Sequence, residues 1–113
     1  MLKGCGLAFA TAGRGACHLR ATIHNPELKG VSDPGDIKGK AELLIDYEDR
    51  LILMDTLILC RFYRDLYPWE RLQQIIEMTT GSKHTKETLQ QKAAEIVNLV
   101  RKFNLREGLE LED

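Results

Sequence analysis

Net charge of either sign is nearly absent from this sequence. Sixteen lysines and arginines stand against seventeen aspartates and glutamates, leaving a formal charge of -1. With no global field and no basic stripe to draw in polyanions, nucleic acid and anionic membrane surfaces are excluded as expected partners. Cysteine is scarce: Cys5, Cys17 and Cys60 are odd in number and widely spaced. That pattern excludes a secreted disulfide framework and reads as reduced thiols of a cytoplasmic protein. Long hydrophobic runs are also missing. No segment reaches the length needed to cross a bilayer, and nothing near the N-terminus has the apolar core of a signal peptide. Two GxG fragments, Gly4-Cys5-Gly6 and Gly13-Arg14-Gly15, lack the third glycine and the preceding strand of a dinucleotide site.

What is present is a soluble composition and a helical pattern. Hydrophobic residues make up 43% and charged residues 29% of 113 positions, enough for one small domain spanning 1–113. Residues 1–37 read as an irregular, Gly-rich segment with a turn signal at Ser32-Asp33-Pro34-Gly35. Within it, Leu7 to Ala12 and Ala16 to Ile23 could be short helices or extended pieces, and composition does not choose. From 38 to 113 the pattern predicts three helices. One long helix is expected from about Ile37 to Asp65, apolar on one face at first and then all round (Leu51, Ile52, Leu53, Met54). A second starts at Pro68 and stops at Gly81. A third starts behind Thr85 as N-cap, with Glu87 in its first turn, and repeats Leu89, Ala93, Ile96, Val97, Val100 and Phe103 to about Asn104. No β alternation and no internal repeat occurs. The expected class is all-α and multihelical, and a helix apolar all round expects a second copy or further protein against it, most simply in a two-fold dimer.

Few residues carry chemistry by pattern alone. Cys17-His18 could be a nucleophile and base, though adjacent side chains rarely face one another. Arg14 and His18, four apart, would share a face if their segment were helical. The more informative stretch is Leu51 to Cys60. Asp55 sits inside the most apolar run of the chain, so its carboxylate must be hydrogen-bonded, paired, neutralised or aimed at a polar cavity. Cys60 ends the same run. On a straight helix the two would lie roughly 140° apart, so one ligand could meet both only if the helix ended or bent between them.

Three blocks of this chain resemble one known family. Gly6 to Ala21 (GLAFATAGRGACHLRA) is similar to the Gly-Leu-x-Tyr-Ala-Thr…Arg-Gly-x-x-His-Leu-Arg-Ala stretch of the aldehyde ferredoxin oxidoreductases. Asp55 to Cys60 (DTLILC) resembles that family's Asp-x-x-Gly-Leu-Cys motif, and Phe103 to Gly108 (FNLREG) its Phe-Asn-x-Arg-Glu-Gly close. The order and spacing agree over nearly the whole chain.

The resemblance implies a fragment of that family's helical C-terminal region. Its full-length members use a tungsten (or molybdenum) pterin beside a [4Fe-4S] cluster to oxidise aldehydes to carboxylic acids, with ferredoxin as electron acceptor. Matched position by position, Cys60 falls on the fourth cluster ligand, Asp55 on a residue that hydrogen-bonds a pterin, and His18 on a histidine beside the metal centre. The chain departs from the family at Ile58, where the motif has glycine, and it lacks the three other cluster cysteines and the pterin-binding N-terminal domain. The expectation is therefore that the chain alone is not catalytic and holds neither cofactor. It acts with the remainder of the enzyme, or else persists as a helical oligomerisation or interaction module.

Overall fold

The computed structural model describes residues 2–110 of the chain; the ends of the expected domain, position 1 and positions 111–113, lie outside them. Five α-helices follow in order: α1 (Lys3–Thr11), α2 (His24–Leu28), α3 (Lys40–Thr56), α4 (Trp69–Thr80) and α5 (Lys86–Arg106). A short 3-10 helix, Arg61–Leu66, lies between α3 and α4. No strand occurs among the described residues. The all-α expectation holds.

The organising element is α3, which supplies a residue to each of three apolar clusters. Leu44 packs with Ala8, Ala21 and Ile23 on the α1 side. Leu53 meets Trp69, Leu89 and Ala93 from α4 and α5. Leu51 and Met54 close on Leu72. Each of these side chains is nearly or completely removed from water, at roughly 1.5–3 kcal/mol for a fully buried large aliphatic or aromatic one. The all-round apolar stretch is thus satisfied within the chain at Leu51, Leu53 and Met54, whereas Ile45 stays exposed.

The N-terminal segment is more regular than its glycines suggest. Residues 3–11 form a helix despite Gly4 and Gly6, while 12–23 remain turns. The reason for glycine at 4 is steric. A Cβ there would lie 2.8 Å from Glu27 Oε1, the atom to which the Gly4 N–H donates at 2.8 Å. The Cys5 N–H donates to the other oxygen, Oε2, at 3.3 Å. The N-cap of α1, Leu2, offers no side-chain acceptor, so the carboxylate of Glu27 on α2 takes its place and meets the positive helix end. Lys40, the first residue of α3, reaches Glu27 Oε1 at 2.7 Å and donates to Ser32 Oγ at 2.7 Å. Both charged side chains are almost fully buried. One ion pair therefore ties three helix ends together. Burial pushes the Glu27 carboxyl up, but the Lys40 ammonium and the Gly4 and Cys5 amides more than reverse it, leaving it below its usual value.

The predicted single helix from 37 to 65 is corrected to a 17-residue helix, a break, and a 3-10 turn. The break is a Schellman motif: the Leu59 N–H donates to Met54 O at 2.8 Å and the Ile58 N–H to Asp55 O at 3.0 Å. Ile58 takes the left-handed conformation that this motif demands, with φ 58°. The α4–α5 pair matches its expected signals. Gly81 closes α4 in left-handed geometry, and Thr85 caps α5 through a reciprocal box with Thr88. Only the α4 start shifts by one residue, with Pro68 capping and Trp69 opening the helix.

Candidate functional site

Asp55 occupies the last turn of α3, one residue before its end, and its carboxylate is paired rather than buried alone. Arg20, from the turn after α1, donates Nη1 to Oδ2 at 3.1 Å. Arg61, the first residue of the 3-10 helix, donates Nε to Oδ1 at 2.8 Å and Nη2 to Oδ2. The two nitrogens of Arg61 grip the two oxygens as a fork, the geometry in which guanidinium and carboxylate pair best. The Asp55 side chain keeps about a third of its surface exposed. Three donors do not exhaust a carboxylate, which offers about four lone-pair positions. Oδ1, with one donor, retains room for another N–H.

The break in α3 separates Asp55 from Cys60 in a way an unbroken helix would not. Leu57 and the left-handed Ile58 turn the chain, and Cys60 emerges in extended geometry as the N-cap of the 3-10 helix. Its thiol is free and exposed. Arg61, its next neighbour, is anchored back on Asp55, so the fork spans the turn and fixes the cysteine's loop against the helix end.

His18 lies in the turn that follows α1, exposed. It does not pair with Cys17, nor does it share a helical face with Arg14. Instead Arg14 donates Nε and Nη2 to Cys17 Sγ at 3.2 and 3.0 Å. Burial raises the Cys17 thiol, while the Arg14 guanidinium, the Leu19 amide and Arg20 lower it, for a net downward shift. The His18 ring meets the His24 ring edge to face, with centroids 5.9 Å apart. His24 is held below the usual histidine value by burial first, then by His18 and Arg64, with Glu27 opposing. With its amide turned to satisfy both neighbours, Asn25 donates to His24 Nε2 at 3.2 Å and accepts from Arg64 Nη2 at 2.6 Å. Arg64 Nη1 in turn donates to the Arg61 carbonyl at 3.0 Å.

A continuous series of contacts thus runs from His18 through His24, Asn25, Arg64 and Arg61 to Asp55 and Arg20. Of the residues expected from sequence, His18 and Asp55 lie on this series and Cys60 does not, while Arg61 and His24, which do, were not expected. The only signal for Arg61 was its position directly after Cys60. Thr22, inside this segment, adds strain: its φ is 42° and its hydroxyl is buried with no hydrogen-bond partner. Among the described residues, no three His, Cys, Asp or Glu side chains converge as a metal site. A [4Fe-4S] cluster needs four thiolates. This turn presents one thiol, that of Cys60.

Comparison with known proteins joins this geometry to a lineage. The family model described as "Aldehyde ferredoxin oxidoreductase, domains 2 & 3" matches residues 1–113. The chain belongs to the aldehyde ferredoxin oxidoreductase family. Within that family it is 31% identical, over 96% of its own length, to the tungsten-containing aldehyde ferredoxin oxidoreductases of Pyrococcus furiosus and Thermococcus kodakarensis. Identity to the Pyrococcus abyssi enzyme is 30% over the same share. The chain spans 18% of the length of these relatives. No solved structure matches it. The Schellman turn gives Ile58 of this aldehyde ferredoxin oxidoreductase family member a glycine-like backbone. Among the described residues, no helix is long and apolar enough to cross a membrane.

Proposed function

We propose that this chain forms one cofactor-facing edge of an oxidoreductase that converts aldehydes to carboxylic acids, working with a further polypeptide region of the kind its relatives carry. The observation that supports this reading best is the Asp55–Cys60 turn. A left-handed helix end leaves a carboxylate with a spare acceptor position on one side and an exposed thiol on the other. Asp55 would accept a hydrogen bond from a pterin at Oδ1 while Arg20 and Arg61 hold its side chain in place. Cys60 would give one thiolate to a [4Fe-4S] cluster, the other three coming from elsewhere. A bound tungsten (or molybdenum) pterin and cluster would supply the redox chemistry, as acceptors for the two electrons released when aldehyde and water become carboxylic acid and two protons, with ferredoxin as the onward acceptor. His18 would accept one of those protons.

The test is anaerobic co-expression of this chain with a polypeptide carrying the remaining region of a relative. The expected product is a coloured complex containing iron and tungsten or molybdenum. Cys60→Ser is expected to reduce the iron per complex and alter the visible spectrum, and Asp55→Ala to release the pterin. A complex that forms but stays colourless, or in which Cys60→Ser leaves iron content and spectrum unchanged, would overturn the assignment.

A second reading has its own observation. Both Asp55 oxygens already carry arginine donors, and Ile58, Phe62 and Leu66 beside them are largely exposed. A surface so arranged suits a helical association module in which Arg–Asp pairing shapes a loop. Co-purification with a colourless partner, or with a second copy alone, favours it.

A further inference from the structure

A cavity of about 450 Å³ opens between the end of α1, one side of α3 and the C-terminal half of α5, away from the Cys60 loop. That volume falls in the range of small-molecule sites. Its apolar wall is formed by Ile52 of α3 and by Val97 and Val100 of α5. Its charged groups are Arg20, Arg101 and Glu48, and Thr11 and Asn98 add neutral polar side chains. The helical spacing explains the arrangement. Glu48 and Ile52 are one turn apart on α3, and Val97, Val100 and Arg101 share a face of α5. The α1 side is pinned in place by Asn104, whose amide nitrogen donates to the Gly13 carbonyl at 2.5 Å.

Arg101 is the decisive residue. It is half-buried at the wall, and among the described residues it has no hydrogen bond, ion pair or ring contact. Guanidinium groups that lose water usually gain a carboxylate in exchange. Arg20 adds a second guanidinium, of which Nη1 serves Asp55. Glu48 is the single acidic side chain at the wall and likewise has no bonded partner. The cavity therefore carries two cations, one anion and an aliphatic face.

We infer that this cavity binds a short monocarboxylate, with the carboxylate on Arg101 and Arg20 and the aliphatic tail against Ile52, Val97 and Val100. The inference stands whether or not the chain takes part in aldehyde oxidation, since none of the three predicted site residues lines the cavity. Glu48 works against such a ligand by like-charge repulsion. That gives the site a signature that loss of stability cannot imitate, because two substitutions at one wall must act in opposite directions.

Hexanoate titrated into the intact chain, followed by amide chemical shifts of α3 and α5, provides the test. Saturable shifts confined to the lining residues are expected, with hexanamide binding at least about tenfold more weakly for want of a charge-assisted bond. Arg101→Gln is expected to weaken hexanoate about tenfold, and Glu48→Gln to tighten it severalfold. Three outcomes overturn the inference: no saturable shift up to about 50 mM hexanoate, far above any useful affinity; equal binding of hexanamide; or hexylamine binding that Glu48→Gln abolishes, which would make the cavity a cation site.

Discussion

At position 58 a β-branched side chain holds a backbone conformation that glycine reaches without cost. Left-handed geometry brings Cβ against the following carbonyl at about 1–2 kcal/mol, and Ile58 recovers none of it by packing, because its side chain is 93% exposed. Ile58→Gly is therefore expected to stabilise the chain by about 1 kcal/mol, raising Tm by roughly 4–8 °C for a domain of this size. Thermal unfolding followed by circular dichroism measures it, and an unchanged or lowered Tm contradicts the strain argument. Asp49, on the buried side of α3, makes a second residue-scale case. Burial first, and then its neighbours Glu48 and Asp46, push its carboxyl from 3.8 up to about 6. An acid whose folded value is raised binds its proton more tightly in the folded state. Its contribution is whole below 3.8 and is lost as pH rises to about 6. Glu27 acts with the opposite sign, its contribution being lost as pH falls below 4.5. Stability should decline between about pH 4 and pH 6 on the Asp49 account. Asp49→Asn should flatten that decline and leave the chain more stable at pH 7, by on the order of 1–3 kcal/mol. Urea unfolding at several pH values reads both effects, and a decline that persists in the variant would assign it elsewhere.

At the scale of elements, helix ends decide both how the chain is held together and what could be read in advance. The α4–α5 pair was legible because its signals are local: Gly81 as a left-handed stop, Thr85 as a cap, an apolar stripe from Leu89 onward. Asp55 and Cys60 stood out as candidates for a similarly local reason, as a polar pair set in an apolar run. The end of α3 was not legible, because Ile58 is a residue that pattern reading keeps inside a helix, and the choice was made by Leu59 and Ile58 bonding back to Met54 and Asp55. The α1 cap was hidden for a different reason. Its acceptor, Glu27, lies more than twenty residues downstream, and Lys40 further still, so nothing adjacent announces them. These two residues carry a testable load. Lys40→Met leaves the Glu27 carboxylate buried without its cation, and the loss is expected to be about 3–5 kcal/mol. Glu27→Gln added to Lys40→Met should recover part of it, since a neutral amide oxygen still accepts from Gly4. Equal stability of the single and double variants by urea titration would show that the ion pair is not what joins these helices.

For the molecule as a whole, the unanswered side is the 3-10 helix. None of its six residues is buried, and Phe62, Tyr63 and Leu66 are 91%, 58% and 64% exposed. A single 3-10 turn has poor hydrogen-bond geometry and cannot sustain itself by propensity. Here it is fastened at polar points instead, by Arg61 on Asp55 and Arg64 on Asn25. An element pinned through its charges while presenting its aromatics to water is arranged to be covered by other protein. The chain spans 18% of its relatives' length, and we propose that the cover is either a further polypeptide region of the kind they carry or a second copy. The prediction is association at micromolar concentration, seen by sedimentation velocity, and its weakening by Phe62→Lys. Because Phe62 makes no core contact in the chain, the substitution should leave the unfolding free energy of the dissociated chain within about 0.5 kcal/mol of the original. A chain that sediments as a strict monomer, alone and with the complementing polypeptide, would mean that this strip covers nothing. The exposed Cys60 thiol beside it would then have no neighbouring region to meet.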